Sequence, residues 1–375
     1  MQKRFDLLDV KILEGLGIYG PRNITSLARK LGVPAETLRK RMKRVIHSRH
    51  FFQTHVNIYH TNLGLKKVMV FAEAIPGYED LLFESLKIND FWIYLSRYYG
   101  MHEGCVGIYT VPRDHCTDFE QFLGELERLE VARKVDLYWS TCFQSVNLKC
   151  NWFDSASKSW NFQWDKWVEE IPTKTTHLPF TLVDPPDFVV EGDKTDVLIL
   201  KELEKDATVS FVKLAKILGI SPQLVRYHFY EHIIKRKLIE GFQISVLPFD
   251  RAISDRFFFI FEFGNGEKLA KFAMSLMDKP FAYTLGKILV KNALMANLYM
   301  PKAEFRKFID VLSRLIKAGL LQSYFYVIQD LNKTLRQTIS YEYFEDGSWI
   351  YEHEKHIKSL QDLVKHRKLE QSILV

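Results

Sequence analysis

The chain has 375 residues, 47% of them hydrophobic and 26% charged, with a formal net charge of +6. This composition is ordinary for a soluble globular protein of two or more domains, and no apolar run approaches the roughly 20 residues that span a bilayer. Residues 1–64 hold twelve Lys/Arg against four Asp/Glu, while the remaining residues sum to −2. A positive charge concentrated on one small segment is typical of a surface that contacts nucleic acid.

The N-terminal sequence lacks the apolar segment of a secretory signal, and the four cysteines form no CxxC pair. Reduced thiols, a cytoplasmic location and no membrane partner are therefore expected. Four histidines, His47, His50, His55 and His60, lie close together in sequence, but their spacing matches no zinc motif. We therefore predict neither a metal site nor a cofactor.

Two short helices joined by a glycine turn are predicted around residue 32. Leu27 and Leu31 share one helical face, Gly32 is suited to a left-handed C-terminal position, and a second helix begins near Pro34. This is the helix-turn-helix pattern. The pattern recurs 187 residues later, where Gly219 takes the place of Gly32. The repetition predicts that the chain is internally duplicated.

After each helix-turn-helix, the apolar pattern predicts a wing strand, elements in the order β-α-β-β-α-β, and an aromatic hairpin. The predicted fold class is therefore α+β, with two winged helix-turn-helix modules each followed by a ferredoxin-like βαββαβ domain and an aromatic hairpin, internally duplicated. The predicted boundaries are 1–64 (first winged helix-turn-helix), 65–150 (first ferredoxin-like domain), 151–192 (aromatic hairpin and Pro-rich linker), 193–250 (second winged helix-turn-helix), 251–330 (second ferredoxin-like domain) and 331–375 (aromatic hairpin and C-terminal helix).

A four-stranded sheet with both helices on one face leaves its other face open to a partner. Because a second copy exists in the same chain, we predict an intramolecular pseudo-dimer of the ranges Lys66–Thr141 and Arg256–Ile328. Four of the seven tryptophans follow the first copy. Structural packing is the favoured role for this cluster, and a platform for stacking bases is the alternative.

The run Leu8-Asp9-Val10-Lys11-Ile12-Leu13, the helix-turn-helix Leu27-Ala28-x-x-Leu31-Gly32-Val33 and the exit Asn62-Leu63-Gly64-Leu65-Lys66 resemble the Lrp/AsnC family of feast/famine transcription regulators. The resemblance implies a DNA-binding regulator whose αβ domain senses a small molecule, in an architecture suggestive of archaea. It also implies an effector site, because Gly100 matches the glycine of the family's ligand turn and Glu103 its acidic position. The second copy keeps Gly286 but has Leu289 at the acidic position.

The predicted DNA-binding residues lie on the outer faces of the two recognition helices. In the first helix they are Glu36, Thr37, Arg39, Lys40, Lys43 and Arg44. In the second they are Gln223, Arg226, Tyr227 and Tyr230. The first face is basic and favours double-stranded DNA. The second is nearly uncharged, so DNA contact and a protein interface are equal alternatives there.

The sequence thus predicts a sequence-specific, double-stranded DNA-binding transcription regulator that is not an enzyme and has no catalytic residues. Two alternatives stay open. One is a tetrapyrrole-processing enzyme, since the sirohaem decarboxylases resemble this two-domain unit. The other is a protein-interaction module that binds RNA polymerase or transcription factors. A small-molecule effector and a second copy of the chain, forming a homodimer, are further candidate partners.

Overall fold

The computed structural model describes residues 5–48 and 52–373. Its helices are α1 (Leu7–Tyr19), α2 (Ile24–Lys30), α3 (Ala35–Ser48), α4 (Glu79–Leu86), α5 (Cys116–Arg128), α6 (Trp164–Glu170), α7 (Lys194–Lys205), α8 (Phe211–Leu218), α9 (Pro222–Tyr227), α10 (Gly266–Leu276), α11 (Lys302–Lys317) and α12 (His353–Ile373). None of these helices is both long and apolar enough to cross a lipid bilayer.

The strands of the same residues follow in chain order. They are β1 (Gln53–Ile58), β2 (Leu65–Ala74), β3 (Trp92–Tyr99), β4 (Gly104–Pro112), β5 (Ala132–Ser140), β6 (Gln144–Ser145), β7 (Phe153–Asp154), β8 (Ser159–Trp160), β9 (Ile239–Ser245), β10 (Ser254–Glu262), β11 (Ala282–Lys287), β12 (Ala293–Pro301), β13 (Ser323–Arg336), β14 (Phe344–Glu345) and β15 (Ser348–Trp349). Both halves contain the expected βαββαβ order, so the predicted α+β fold class is confirmed.

The helix-turn-helix segments form where local chemistry directs them. Asn23 caps α2 and Ser210 caps α8, each accepting a hydrogen bond from a backbone N–H of the first turn. Gly219 ends α8 at φ 68°, a left-handed conformation that a side chain would strain, and Gly32 has φ 66° in the first copy. In the second copy, α9 continues as a π-helical turn over His228–Ile234, whereas α3 runs as one α-helix.

The wings are shared between the two halves. β1 pairs antiparallel with β9, from Gln53 opposite Ser245 to Ile58 opposite Ile239. The sequence correctly places a strand after each recognition helix but assigns each wing to its own module. The pairing crosses between modules because each wing is a lone strand, and its backbone donors and acceptors need a partner.

The strands of both αβ units join in one nine-stranded sheet with the order β5-β2-β4-β3-β13-β10-β12-β11-β6. The junction is the antiparallel pair β3–β13, which extends to Tyr94 opposite Arg336. At the far ends, Leu289 N–H donates to the carbonyl of Trp139 at 2.8 Å, so β5 and β11 also meet and the sheet curves back on itself. Inside, Phe71 of the first unit contacts Phe258 of the second at 6.5 Å between ring centroids.

The aromatic segment after each unit packs on the other unit. Trp167 stacks on Phe308 of α11 with ring centroids 5.9 Å apart, and its indole N–H donates to Ser275 Oγ at 3.0 Å. Conversely, Tyr351 stacks on Phe91 of the first unit at 5.5 Å. These aromatic side chains therefore stabilise the association of the halves, in keeping with the structural role expected for the tryptophans.

Candidate functional site

The outer face of α3 presents most of the DNA-binding residues predicted for the first module to solvent. Glu36, Arg39, Lys40 and Lys43 are exposed, and Thr37 is half-buried. The guanidinium of Arg39 lies 3.8 Å from the carboxylate of Glu36, one turn earlier on the helix. An exposed basic helix face of this kind can contact phosphates and base edges.

Arg44 is directed toward the protein. Its guanidinium lies 3.3 Å from Asp9, which is 4% exposed, and Arg41 lies 3.1 Å from the same carboxylate. Arg41 also pairs with Asp6, and the pKa of Asp6 is lowered because its hydrogen bonds to Arg41 and to the backbone outweigh the effect of burial. These two arginines anchor α3 to α1, and α3 therefore presents fewer cations to a ligand than its sequence suggests.

The corresponding face of the second module is exposed but nearly uncharged. Gln223, Arg226, Tyr227 and Tyr230 all lie at the surface of α9 and its π-helical extension. Arg226 stands over the Tyr230 ring at 5.8 Å, and Tyr230 packs edge-on against Phe211 at 6.0 Å. The face is thus partly occupied by contacts within the module.

The predicted effector residues lie on the exposed turn between β3 and β4. Gly100 and Glu103 are both exposed, and the carboxylate of Glu103 lies 3.5 Å from the guanidinium of Arg97. Neither residue lines the large cavity described next. The structure therefore does not bring the predicted effector turn together with that cavity.

A cavity of about 560 Å³ lies between the paired wings and the shared sheet, and both halves line it. Its volume falls in the range of roughly 300–1,000 Å³ that small-molecule sites occupy. The polar side chains of its lining come from β1 to β3, α7, β9 to β13 and the segments that follow β1 and β13. They are Gln53, His55, Asn57, His60, Lys67, Tyr94, Glu204, Lys205, Gln243, Arg256, Tyr283, Thr284, Asn297, Arg336, Gln337 and Thr338. A second cavity of about 360 Å³ shares Gln53, Arg256, Tyr283 and Arg336 with it.

The cavity is cationic. Lys67 is 4% exposed and its Nζ lies 4.3 Å from the Phe143 ring centroid, and Arg256 is 8% exposed, 5.2 Å from the Tyr283 ring. Within the described part of the chain, neither cation forms an ion pair with a carboxylate. Burial of its guanidinium and repulsion from Arg256 lower the pKa of Arg336. Clustered cations that form no ion pair favour an anionic ligand.

Lys67 and Arg256 occupy equivalent positions in the two sheets. In β2, Leu65 pairs with Pro112 and Lys67 follows two residues later. In β10, Ser254 pairs with Pro301 and Arg256 follows two residues later. Each unit thus contributes one cation at the same depth of its sheet. A ligand with carboxylates on opposite sides could be held by both units at once.

Buried polar groups without partners also point into this region. Among the described residues, Nε of Arg256 and Oδ1 of Asn297 are buried and make no hydrogen bond. An orphaned buried donor or acceptor costs about 1–3 kcal/mol, so such groups are normally paired. A donor and an acceptor left open in the lining of one cavity are what a bound polar molecule would satisfy.

Two of the four clustered histidines line the cavity. His55 Nε2 lies 3.1 Å from Gln243 Oε1, and burial together with Arg336 lowers the pKa of His55 to about 4. His60 is 2% exposed, and burial and Lys67 lower its pKa. Both imidazoles are therefore neutral at physiological pH. The other two, His50 and the side chain of His47, lie outside the described residues.

Glu204 contributes a carboxyl group to the lining of the cavity, and the folded structure changes the pKa of that group. It accepts a hydrogen bond from the backbone N–H of Ile339 at 2.8 Å, and burial raises its pKa to about 8. A carboxyl group that stays protonated near neutral pH can donate a proton.

The pKa of Glu204 predicts a pH dependence of stability. Between the ordinary carboxyl pKa and about 8, the folded chain keeps this proton and the unfolded chain releases it, so stability falls as pH rises. Glu204→Gln removes the contribution, and we expect Tm of the variant minus Tm of the wild type to increase from about pH 5 to about pH 8. The exposed Glu345→Gln is the control, and a difference that stays flat for Glu204→Gln would contradict the assignment.

The sequence analysis did not find this site because its residues come from ten separate helices and strands and from the segments between them. No motif joins Lys67 to Arg256, and the wings that close the cavity pair only across the two halves. One signal was available. A charged residue interrupts the apolar pattern near the start of an otherwise buried strand in both copies, at Lys67 and Arg256. Buried charges of this kind are rare unless they are paired, so an unpaired one indicates a ligand site.

Comparisons with known proteins bear on both surfaces. Residues 192–229 match the family model described as winged helix-turn-helix DNA-binding. A search of the curated proteins gives no match. Among solved structures, the siroheme decarboxylase NirDL is similar with a TM-score of 0.55 at 9% identity, over 96% of this chain and 99% of that chain.

NirDL in co-complex with an iron-uroporphyrin III analogue also gives a TM-score of 0.55, at 11% identity over 95% of this chain and 98% of that chain. AsnC of E. coli matches 40% of this chain and 98% of its own, at 19% identity and a TM-score of 0.29. Residues 192–229 are thus similar to a winged helix-turn-helix of DNA-binding type, and the overall fold of the chain is similar to that of NirDL.

The expectation that the chain is not an enzyme is wrong. It is contradicted by the likeness to NirDL, which extends over nearly the whole of both chains and is to an enzyme. The expectation rested on the absence of a catalytic motif in the sequence. That absence is uninformative here, because the cavity is built from residues that only the folded chain brings together.

Proposed function

We propose that the chain is an enzyme that binds a polycarboxylated tetrapyrrole in the cationic cavity and removes a carboxyl group from it. The observation that carries the proposal is the pairing of Lys67 and Arg256, two buried cations at equivalent positions facing one cavity. Siroheme, as the substrate of a decarboxylase, bears carboxylates, and uroporphyrin is an anionic tetrapyrrole of the same kind. The likeness to NirDL supports this choice of ligand.

The lining residues fit the chemistry of such a reaction. In a decarboxylation the bond to the carboxylate carbon breaks, CO₂ leaves, and the electrons of that bond take up one proton. Lys67, Arg256 and Arg336 would hold the carboxylates that remain on the substrate. Glu204, protonated in the folded chain, would supply the proton. The substrate brings the tetrapyrrole and its iron.

The test is to mix the full chain with iron uroporphyrin III and with sirohaem, and to record the Soret band and the product masses. We expect a shifted Soret band at one equivalent, and products lighter by the mass of CO₂. Absence of any spectral shift would contradict tetrapyrrole binding. A shift without loss of CO₂, with sirohaem as well as the analogue, would contradict the decarboxylase activity.

We infer a second candidate function, DNA-binding transcription regulation, from the exposed basic face of α3. Arg39, Lys40 and Lys43 lie on this face, and the helix-turn-helix geometry would place it in a major groove. The family-model match to the second module supports the same class. The two functions use different surfaces of the chain, so one result does not decide the other.

The DNA-binding candidate predicts an asymmetry between the modules. Residues 1–64 have a charge balance of +8 and residues 193–248 of +2. The double variant Lys40→Gln/Lys43→Gln should lose about two phosphate contacts, lowering the slope of log K against log salt by about 1.8. Arg226→Gln, on the exposed face of the second module, should change the slope by less. If both variants reduce the slope equally over the same salt series, the first module is not the main DNA contact.

A further inference from the structure

A cluster of two aspartates and two histidines joins α7 to the second recognition helix, away from the cavity and independent of its function. The cluster consists of Asp193, Asp196, His228 and His232, and one ligand atom from each lies within 4.8 Å of all the others. Asp196 is 0% exposed, both histidines are buried, and Asp193 opens to solvent.

The geometry of the cluster suits a small cation. His228 Nδ1 lies 2.8 Å from Asp196 Oδ1 and 3.7 Å from Asp193 Oδ2, and His232 Nδ1 lies 3.0 Å from Asp196 Oδ2 and 3.6 Å from Asp193 Oδ2. In a tetrahedral zinc site with bonds of about 2.0–2.2 Å, neighbouring ligand atoms are about 3.4 Å apart. The two separations to Asp193 Oδ2 are slightly longer than that value, and the two shorter ones are hydrogen bonds from the histidines to separate oxygens of Asp196.

The helices orient the ligands in advance. Asp193 and Asp196 form a reciprocal capping box at the start of α7, each accepting the other's backbone N–H at 3.0 Å. The box leaves Asp193 Oδ2 directed at the histidines. His228 and His232 are four residues apart on the π-helical turn and lie on one side of it, and such turns occur frequently at functional sites.

The equivalent position of the first module contains arginines that the second module does not have. At the positions 187 residues earlier, Asp6 and Asp9 form the same capping box, but Arg41 stands where the second module has His228. There the buried carboxylate of Asp9 is neutralised by the permanent charges of Arg41 and Arg44. In the second module imidazoles, not the permanently charged guanidinium groups, face the buried Asp196, so the four side chains leave a place for a bound cation to compensate the carboxylates.

We propose that Asp193, Asp196, His228 and His232 bind one zinc ion that fastens the second recognition helix to α7. Two carboxylates and two neutral imidazoles around Zn²⁺ give a site without net charge, with donors that zinc prefers. All four positions are filled by protein groups, which is typical of a structural site. Zinc therefore takes the place that Arg41 and Arg44 hold in the first module.

The test uses the untagged full chain, stripped of metal with a chelator and then titrated with Zn²⁺. We expect one equivalent of zinc per chain by elemental analysis, a Tm that rises with zinc concentration, and the intense visible absorption of a tetrahedral site when Co²⁺ is used instead. If the chain binds no stoichiometric zinc, or if its Tm does not change with zinc concentration, the proposal is overturned.

Two variants locate the site. His232→Gln should abolish stoichiometric binding. Asp193→Asn keeps an effective N-cap for α7 while removing a charged ligand, so it should fold normally and bind zinc at least about tenfold more weakly. His115→Gln is the matched control, because His115 Nδ1 lies 2.7 Å from the carboxylate of Asp118 and belongs to no group of four possible ligands among the described residues. If Asp193→Asn binds zinc as tightly as the wild type, the proposed ligand set is wrong.

Discussion

Arg256→Gln is expected to weaken the binding of iron uroporphyrin III by about 10- to 100-fold, since one charge-assisted hydrogen bond is worth about 1.5–3 kcal/mol. Arg256 is buried, has an unpartnered Nε and no carboxylate partner among the described residues, so its charge is available to a ligand. Lys67→Gln should weaken the binding of iron uroporphyrin III by a similar factor, because Lys67 occupies the equivalent position in the other unit. The affinity of each variant is measured by titrating the protein with iron uroporphyrin III and following the Soret band.

Two controls accompany these variants. Arg226→Gln removes an exposed guanidinium outside the cavity and should leave tetrapyrrole affinity unchanged. An iron porphyrin with only alkyl side chains should bind the wild type weakly and should not distinguish it from Arg256→Gln. If Arg226→Gln costs as much affinity as Arg256→Gln, the effect is long-range electrostatics and the cavity is not the binding site.

Trp167→Ala is expected to lower the free energy of unfolding of the whole chain by about 3–5 kcal/mol, the usual range for removing a buried aromatic side chain. Trp167 is 0% exposed and belongs to the segment that follows the first αβ unit, yet it packs among the aromatic residues of the second. The substitution therefore removes a contact between halves as well as a core side chain. Urea denaturation followed by circular dichroism gives the value.

Trp167→Phe is the matched variant, since it keeps a ring to stack on Phe308 and loses the hydrogen bond to Ser275 together with part of the buried ring volume. The decrease in the free energy of unfolding should be clearly smaller for Trp167→Phe than for Trp167→Ala. Both variants should unfold in one transition if the packing couples the halves. Two separate transitions for Trp167→Ala, with the first unit unaffected, would show that the segment is a local appendage of the second unit.

The elements that the sequence predicted well are those defined by local chemistry. The turns at Gly32 and Gly219 need a left-handed residue, and this signal lies within a few residues of the structure it directs. The βαββαβ order follows in the same way from apolar periodicity. These features appear at the predicted places in both halves.

The elements that the sequence did not predict depend on pairing between distant segments. β13 extends to Arg336, beyond the range Arg256–Ile328 expected for the second unit, because β3 of the other unit supplies backbone partners for its second half. The pairing of β1 with β9 is a choice among partners that one strand does not encode. The cavity is a product of both pairings, so its lining could not be read from spacing along the chain.

The exchange of strands between the halves constrains how the chain is made. As the ribosome releases the first half, β1 and β3 leave with their pairing edges unoccupied, and their partners, β9 and β13, are complete only at Ser245 and Arg336. Open strand edges and an uncovered apolar face are prone to aggregate while they wait. Folding of the first half therefore cannot finish during its own synthesis, and a nascent chain of this architecture is a natural client for chaperones.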